Sequence, residues 1–188
     1  MRWLALLLGA SASAEPTSTE RAALERGEVV LRQESARGAS EGTSMILVEA
    51  SSAEVWAVIE GFGAYVEFLP YVTASYVLAS PDELGEGTWR WGMELTAKGV
   101  VTRYVTDARR DGDVMTWEMQ PEGSSPMRRS AGSWEVRAWD ADRVLLIYRA
   151  QADTAWWIPV FVHRKAADAG LPAMVRLVAA RAVDSPGG

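Results

Sequence analysis

Cysteine is absent from the 188 residues, and histidine occurs once, at His163. Without thiols there can be no disulfide, no thiolate nucleophile and no zinc site built on cysteine. The lone His163, between Val162 and Arg164-Lys165, fits a solvated or capping role better than that of a general base. No Gly-x-Ser-x-Gly elbow supplies a serine nucleophile, no glycine-rich phosphate loop occurs, and no carboxylates are spaced as a calcium loop requires. These gaps predict no catalytic set, no metal and no cofactor. Positive charge is scarce too, with 19 Lys+Arg against 25 Asp+Glu. Nothing resembles a basic stripe tracking a phosphate backbone, so nucleic acid is a poor partner.

What the chain has is apolar bulk. Hydrophobic residues make up 48% of it and tryptophan occurs nine times, enough for one domain with a sizeable core. The run Trp3 to Ala10 follows the positive start Met1-Arg2 and is too short to span a bilayer. Ala12-Ser13-Ala14 then offers small residues at the spacing a signal peptidase accepts, with Glu15-Pro16 following. The pattern predicts a signal peptide over 1–14, cleavage after Ala14, and an exported (periplasmic or secreted) protein; an uncleaved N-terminal membrane anchor, or merely a disordered start, is the alternative. The organisation expected after it is a polar segment over 15–27, a domain over 28–183 and a disordered tail over 184–188.

Periodicity then changes from strand to helix, back to strand, and finally to helix. Glu28 to Gln33 and Ser44 to Glu49 predict two opening strands, joined by a polar, glycine-bearing link. Ser51-Ser52-Ala53-Glu54 is a capping box, and Val55, Val58, Ile59 and Phe62 follow at helical spacing. A second short helix through Tyr65 and Phe68 should stop at Pro70. From Val72 to Asp153 the pattern is β, with turn residues such as Asp111-Gly112-Asp113 between runs, which predicts an antiparallel meander. Pro159 opens a last helical stretch that Gly170-Leu171-Pro172 should interrupt, with a fresh helix starting at Pro172. Leu171, Met174, Val175, Val178 and Ala182 form its apolar stripe. The parts combine as an α+β fold in which a curved antiparallel sheet wraps a long C-terminal helix.

Val48 to Ile59, followed by Tyr65-Val66-Glu67-Phe68-Leu69-Pro70, resembles the helix-grip superfamily of START lipid-transfer domains and the birch pollen allergen. It is most similar to the branch of polyketide cyclase/dehydrase and coenzyme-Q-binding proteins. Gly132-Ser133-Trp134, Leu146-Ile147-Tyr148 and Ile158-Pro159 match the same branch in order. The resemblance covers roughly 28–182. It implies the helix-grip fold and a lipid, quinone or polyketide-like ligand. It transfers no reaction, since members range from carriers to cyclases.

That fold leaves a gap between sheet and helix, and mostly apolar gaps with a few polar groups are the usual ligand sites. Trp89, Trp91 and Met93 alternate along one strand face, as do Trp117 and Met119 on a later strand. With Tyr104, Trp134, Tyr148, Met174 and Val178 they are the candidate ligand contacts; the plainer reading is that each packs the core. Arg103 and Tyr104 must point to opposite faces, and Tyr104 is the one expected inside; Glu118 is a further polar candidate, more in keeping with solvent. Trp156-Trp157-Ile158-Pro159 fits a pocket mouth that touches a membrane surface transiently and, equally, a plug for the end of the sheet. Carriage of a hydrophobic small molecule is the function these features predict. A pocket enzyme of the cyclase/dehydrase type, or an envelope interaction module with a collapsed cavity, is the alternative.

Overall fold

In the computed structural model the described residues are 15–36, 39–97, 100–120, 127–154 and 160–184, and side chains are described for most of these. The signal-peptide reading, the turns at 98–99 and 121–123, the Trp156 to Pro159 run and the tail beyond Asp184 lie outside them. So does the side chain of His163.

Eight strands form one antiparallel sheet: β1 (Val30–Ala36), β2 (Ala39–Val48), β3 (Val72–Ala79), β4 (Thr88–Ala97), β5 (Val100–Asp111), β6 (Val114–Gln120), β7 (Met127–Ala138) and β8 (Val144–Thr154). Their order across the sheet is β1-β2-β8-β7-β6-β5-β4-β3. The strands from β3 to β8 are a meander, and β8 closes back against β2. The first two strands run further toward each other than the sequence predicts, pairing down to Ala36 and Ala39. Tertiary pairing overrides the weak strand character of Ser35 and Ser40 there.

Among the described residues, five α-helices accompany the sheet: α1 (Ser18–Glu25), α2 (Ser52–Glu60), α3 (Tyr65–Phe68), α4 (Pro81–Leu84) and α5 (Val160–Asp184). The α2 capping box forms as expected, with the Ser51 hydroxyl accepting from the Glu54 amide and the Glu54 carboxylate accepting from the Ser51 amide. Val55, Val58, Ile59 and Phe62 are buried. The expected break at Gly170-Leu171-Pro172 is absent. Instead α5 runs through Pro172 as one helix of 25 residues. A proline inside a helix forfeits one backbone hydrogen bond. Here packing outweighs that loss: Leu171 occupies the space where a side chain at Gly42 on β2 would stand, and Val175, Val178 and Ala182 are buried against the sheet.

The main core fills the sheet's inner face, under α5, α2 and α3. A satellite core lies on the outer face, where Leu24 of α1 is buried with Val30, Met45, Leu145 and Ile147. A ring of acid–arginine pairs holds α1 there. Glu20 takes a two-pronged hydrogen bond from Arg32, at 2.7 and 2.6 Å. Glu25 accepts from the Trp139 indole and pairs with Arg143, while Glu15 pairs with Arg137.

Two predictions follow from this packing. A Cβ at Gly132 would collide with the Arg149 carbonyl oxygen and come within 2.6 Å of the Trp117 ring. Gly132→Ala should therefore cost about 1–3 kcal/mol of stability in urea melts; an unchanged midpoint would mean the strands yield freely. The Arg32 hydrogen bond holds the Glu20 carboxyl down at about 2. A depressed carboxylate contributes its full stability above its unfolded pKa and loses it as the pH falls through the folded one. The urea midpoint should thus drop between about pH 4.5 and about pH 2, and Glu20→Gln should flatten that slope.

Candidate ligand-binding cup

Strand register places the predicted residues on one surface. Trp91 faces Thr106, and Met93 faces Tyr104 across β4 and β5. Thr106 faces Met119, and Ala108 faces Trp117 across β5 and β6. Trp134 then lies between Met115 on β6 and Tyr148 on β8, and Tyr148 faces Ser44 on β2. Paired residues share a face, so this chain of pairs traces one inner layer across six strands. Met174 and Val178 approach it from α5. All ten candidates therefore meet on the concave side.

They divide into two groups by cover. Trp91, Met93, Met119, Trp134 and Val178 are buried. Trp91 stacks on Phe62 with ring centroids 5.1 Å apart and meets Tyr65 edge-on at 5.4 Å, which makes it part of the wall. Trp89, Tyr104, Trp117, Tyr148 and Met174 pack against the same core yet are only partly covered. Trp134 and Tyr148 sit at 4.2 Å between centroids, and Trp117 runs nearly parallel to Tyr148 at 6.3 Å. This aromatic group and Met174 form the partly accessible portion of the inner layer.

Tyr104 and Tyr148 carry the clearest signature. Burial pushes both phenols well above their ordinary pKa, and the neighbouring Tyr104 raises Tyr148 further. Both rings are nevertheless only partly covered. Both phenols are therefore crowded by the inner layer while part of each side chain stays accessible. Tyr65 is different, because its hydroxyl donates to the Ile59 carbonyl at 2.6 Å and anchors α3.

Arg103 and Glu118 are on the outer face, as alternation requires. Arg103 pairs with Glu94 at 2.6 Å, and Glu118 pairs with Arg129 at 3.4 Å. An open cleft of about 470 Å³ lies apart from the cup, lined by Ser52, Ala53, Trp56, Ala57, Glu60 and Arg110. Its one cation is already engaged: Arg110 pairs with Glu60 at 2.6 Å and lies 4.1 Å over the Trp56 ring. That arrangement ties α2 to the end of β5.

Sequence reasoning missed two inner-face polar residues, Ser44 and Thr106, which are 0% and 1% exposed. The signal was available for Ser44, which alternates with Ile46 and Val48 along a strand whose inner side is otherwise apolar. No group of three or more metal-ligating side chains occurs among the described residues.

Comparison with known proteins agrees with this architecture. No curated protein matches the sequence significantly. Among solved structures, a STAR-related lipid transfer protein from Xanthomonas axonopodis superposes with a TM-score of 0.67 at 17% identity, covering 82% of this chain and 93% of that one. Human STARD10 gives a TM-score of 0.66 at 12% identity, covering 96% and 85%. A Streptomyces aromatase/cyclase gives 0.63 at 14% identity, covering 82% and 94%. At such identities the likeness concerns the fold, which is the START-like helix-grip. Residues 48–178 match the family model described as polyketide cyclase / dehydrase and lipid transport, and the chain belongs to that family.

Proposed function

We propose that this protein binds and carries a hydrophobic small molecule, of the lipid, quinone or polyketide class, in the cup between the sheet and α5. The observation that carries the reading is the state of Tyr104 and Tyr148, desolvated but incompletely packed beside Trp89, Trp117 and Met174. A folded core normally fills such space, since each unfilled gap forfeits contacts. Flat aromatic walls and one flexible methionine suit an apolar ligand of variable shape. The family description and the lipid-transfer protein of similar fold support the same class of cargo.

Export belongs to the proposal. Its support is the leader pattern ending at Ala14, and it predicts a mature protein from the native host that begins at Glu15. A chain that retains Met1 or Arg2 would overturn it. Contact with a membrane surface through Trp156-Trp157 would load such a carrier.

Native mass spectrometry of the protein from its own host, with solvent extraction, tests the carriage itself. A discrete apolar molecule near one per chain is the expected result; a bare mass from a tightly packed interior would favour an interaction module instead. Trp117→Glu should abolish ligand binding while the fold survives, because Trp117 is partly accessible on the inner face. Unchanged binding in the folded variant would place Trp117 outside the site.

A further inference from the structure

The inner layer carries polar atoms, but they are of one kind. Ser44 Oγ and Trp91 Nε1 are buried with no hydrogen-bond partner. Among the described residues, no hydrogen bond engages the Tyr104 or Tyr148 hydroxyl either. Tyr148 faces Ser44 across β2 and β8, and Tyr104 is near enough to Tyr148 to act on its ionisation. Tyr104 and Tyr148 thus present unengaged hydroxyls on the partly accessible inner surface, while Ser44 Oγ and Trp91 Nε1 lie fully covered in its wall. Every one of them is neutral and can donate, and the indole can only donate.

Charge, by contrast, is sorted outward. The strand pairs Arg90–Asp107 and Glu94–Arg103 stand on the outer face. So does buried Glu135: burial alone would raise its carboxyl, but hydrogen bonds from Arg149 and Arg137 hold it low. Of the described charged side chains on the sheet, Arg110 alone lies on the inner side, at the α2 end, where Glu60 and Trp56 engage it. The described part of α5 that faces the cup is apolar. An anion placed in this interior would meet no free cation among the described residues, and an unpaired buried charge is strongly disfavoured.

We infer that the cup selects its ligand by charge: it takes an apolar molecule whose polar end is a neutral oxygen acceptor, such as an ester, ketone or quinone carbonyl, and excludes one ending in a carboxylate or phosphate. A desolvated hydroxyl left without a partner is costly, so an acceptor oxygen is the group Tyr104 and Tyr148 favour. The inference rests on the carrier reading and adds the chemistry of the recognised end.

Methyl laurate, laurate and dodecane distinguish the terms, since they share an apolar chain and differ at its end. Binding is read from the intrinsic tryptophan fluorescence of the delipidated full chain. At about pH 8 methyl laurate should bind about tenfold or more tighter than laurate, a difference of about 1.4 kcal/mol. Laurate should recover affinity as the pH is lowered and its carboxyl takes a proton. The advantage of methyl laurate over dodecane should shrink about fivefold in Tyr148→Phe or Tyr104→Phe, each of which keeps the ring and removes one donor. Laurate binding as tightly as the ester at about pH 8 would overturn the charge selection and leave carriage standing. An ester advantage over dodecane that survives in both variants would overturn the assigned donors. Binding of none of the three would overturn the carrier reading and this inference together.

Discussion

The seating of α5 along the concave face of the sheet is the contact on which the rest of the molecule depends. A curved antiparallel sheet has no interior of its own; it acquires one only when a second wall is laid across it. Here that wall is an apolar stripe from Leu171 to Ala182, with Val175 and Val178 almost fully buried. Gly42 lets Leu171 approach the β2 backbone, and burial of a side chain of that size contributes about 1.5–3 kcal/mol. Met174, one turn along the same stripe, is only partly covered. The contact that closes the core therefore also borders the partly accessible inner residues, and under the proposed function stability and binding share one helix face.

That dependence explains what could be read from the residues alone. The inner layer of the sheet was legible because strand alternation is strict: once Trp89, Trp91 and Met93 share a face, Arg90 and Glu94 must stand on the other. The capping box at Ser51 was legible because it is local chemistry. Continuous α5 was not, because the reasons Pro172 is tolerated lie on β2 and β8, far away in sequence. Ser44 escaped notice for a related reason. A serine on a strand is ordinarily solvent-facing; alternation with Ile46 and Val48 marked its inward side, but its full burial follows from β8 pairing beside β2. The division of ten candidate residues into wall and border was equally hidden, since burial depends on how Phe62 and Tyr65 pack upon Trp91.

The two faces of the sheet solve different problems. At the β1-β2-β8 side both faces are apolar, because Met45, Leu145 and Ile147 point outward while Ile46 and Leu146 point in. An antiparallel sheet can leave one face to water, but an apolar patch on that face needs a cover. α1 supplies it with Leu24, and carboxylates of Glu15, Glu20 and Glu25 fasten the cover to Arg137, Arg32 and Arg143. On the β3 to β6 side the outer face needs no cover, since ion pairs occupy it.

Charge sorting follows from that arrangement. Each described strand arginine on the outer face that pairs with a carboxylate has its partner on the same face, whether from the same or a neighbouring strand or from α1 and the residues just before it. None of these charges has to cross the sheet to be neutralised, so the inner layer can be built from aromatic, aliphatic and hydroxyl groups. A cup constructed in this way has donors but no free counter-charge among its described residues. The charge selection proposed for it is then a consequence of how the sheet pairs the charges of its outer face and keeps its N-terminal helix attached, and not a feature added at the site.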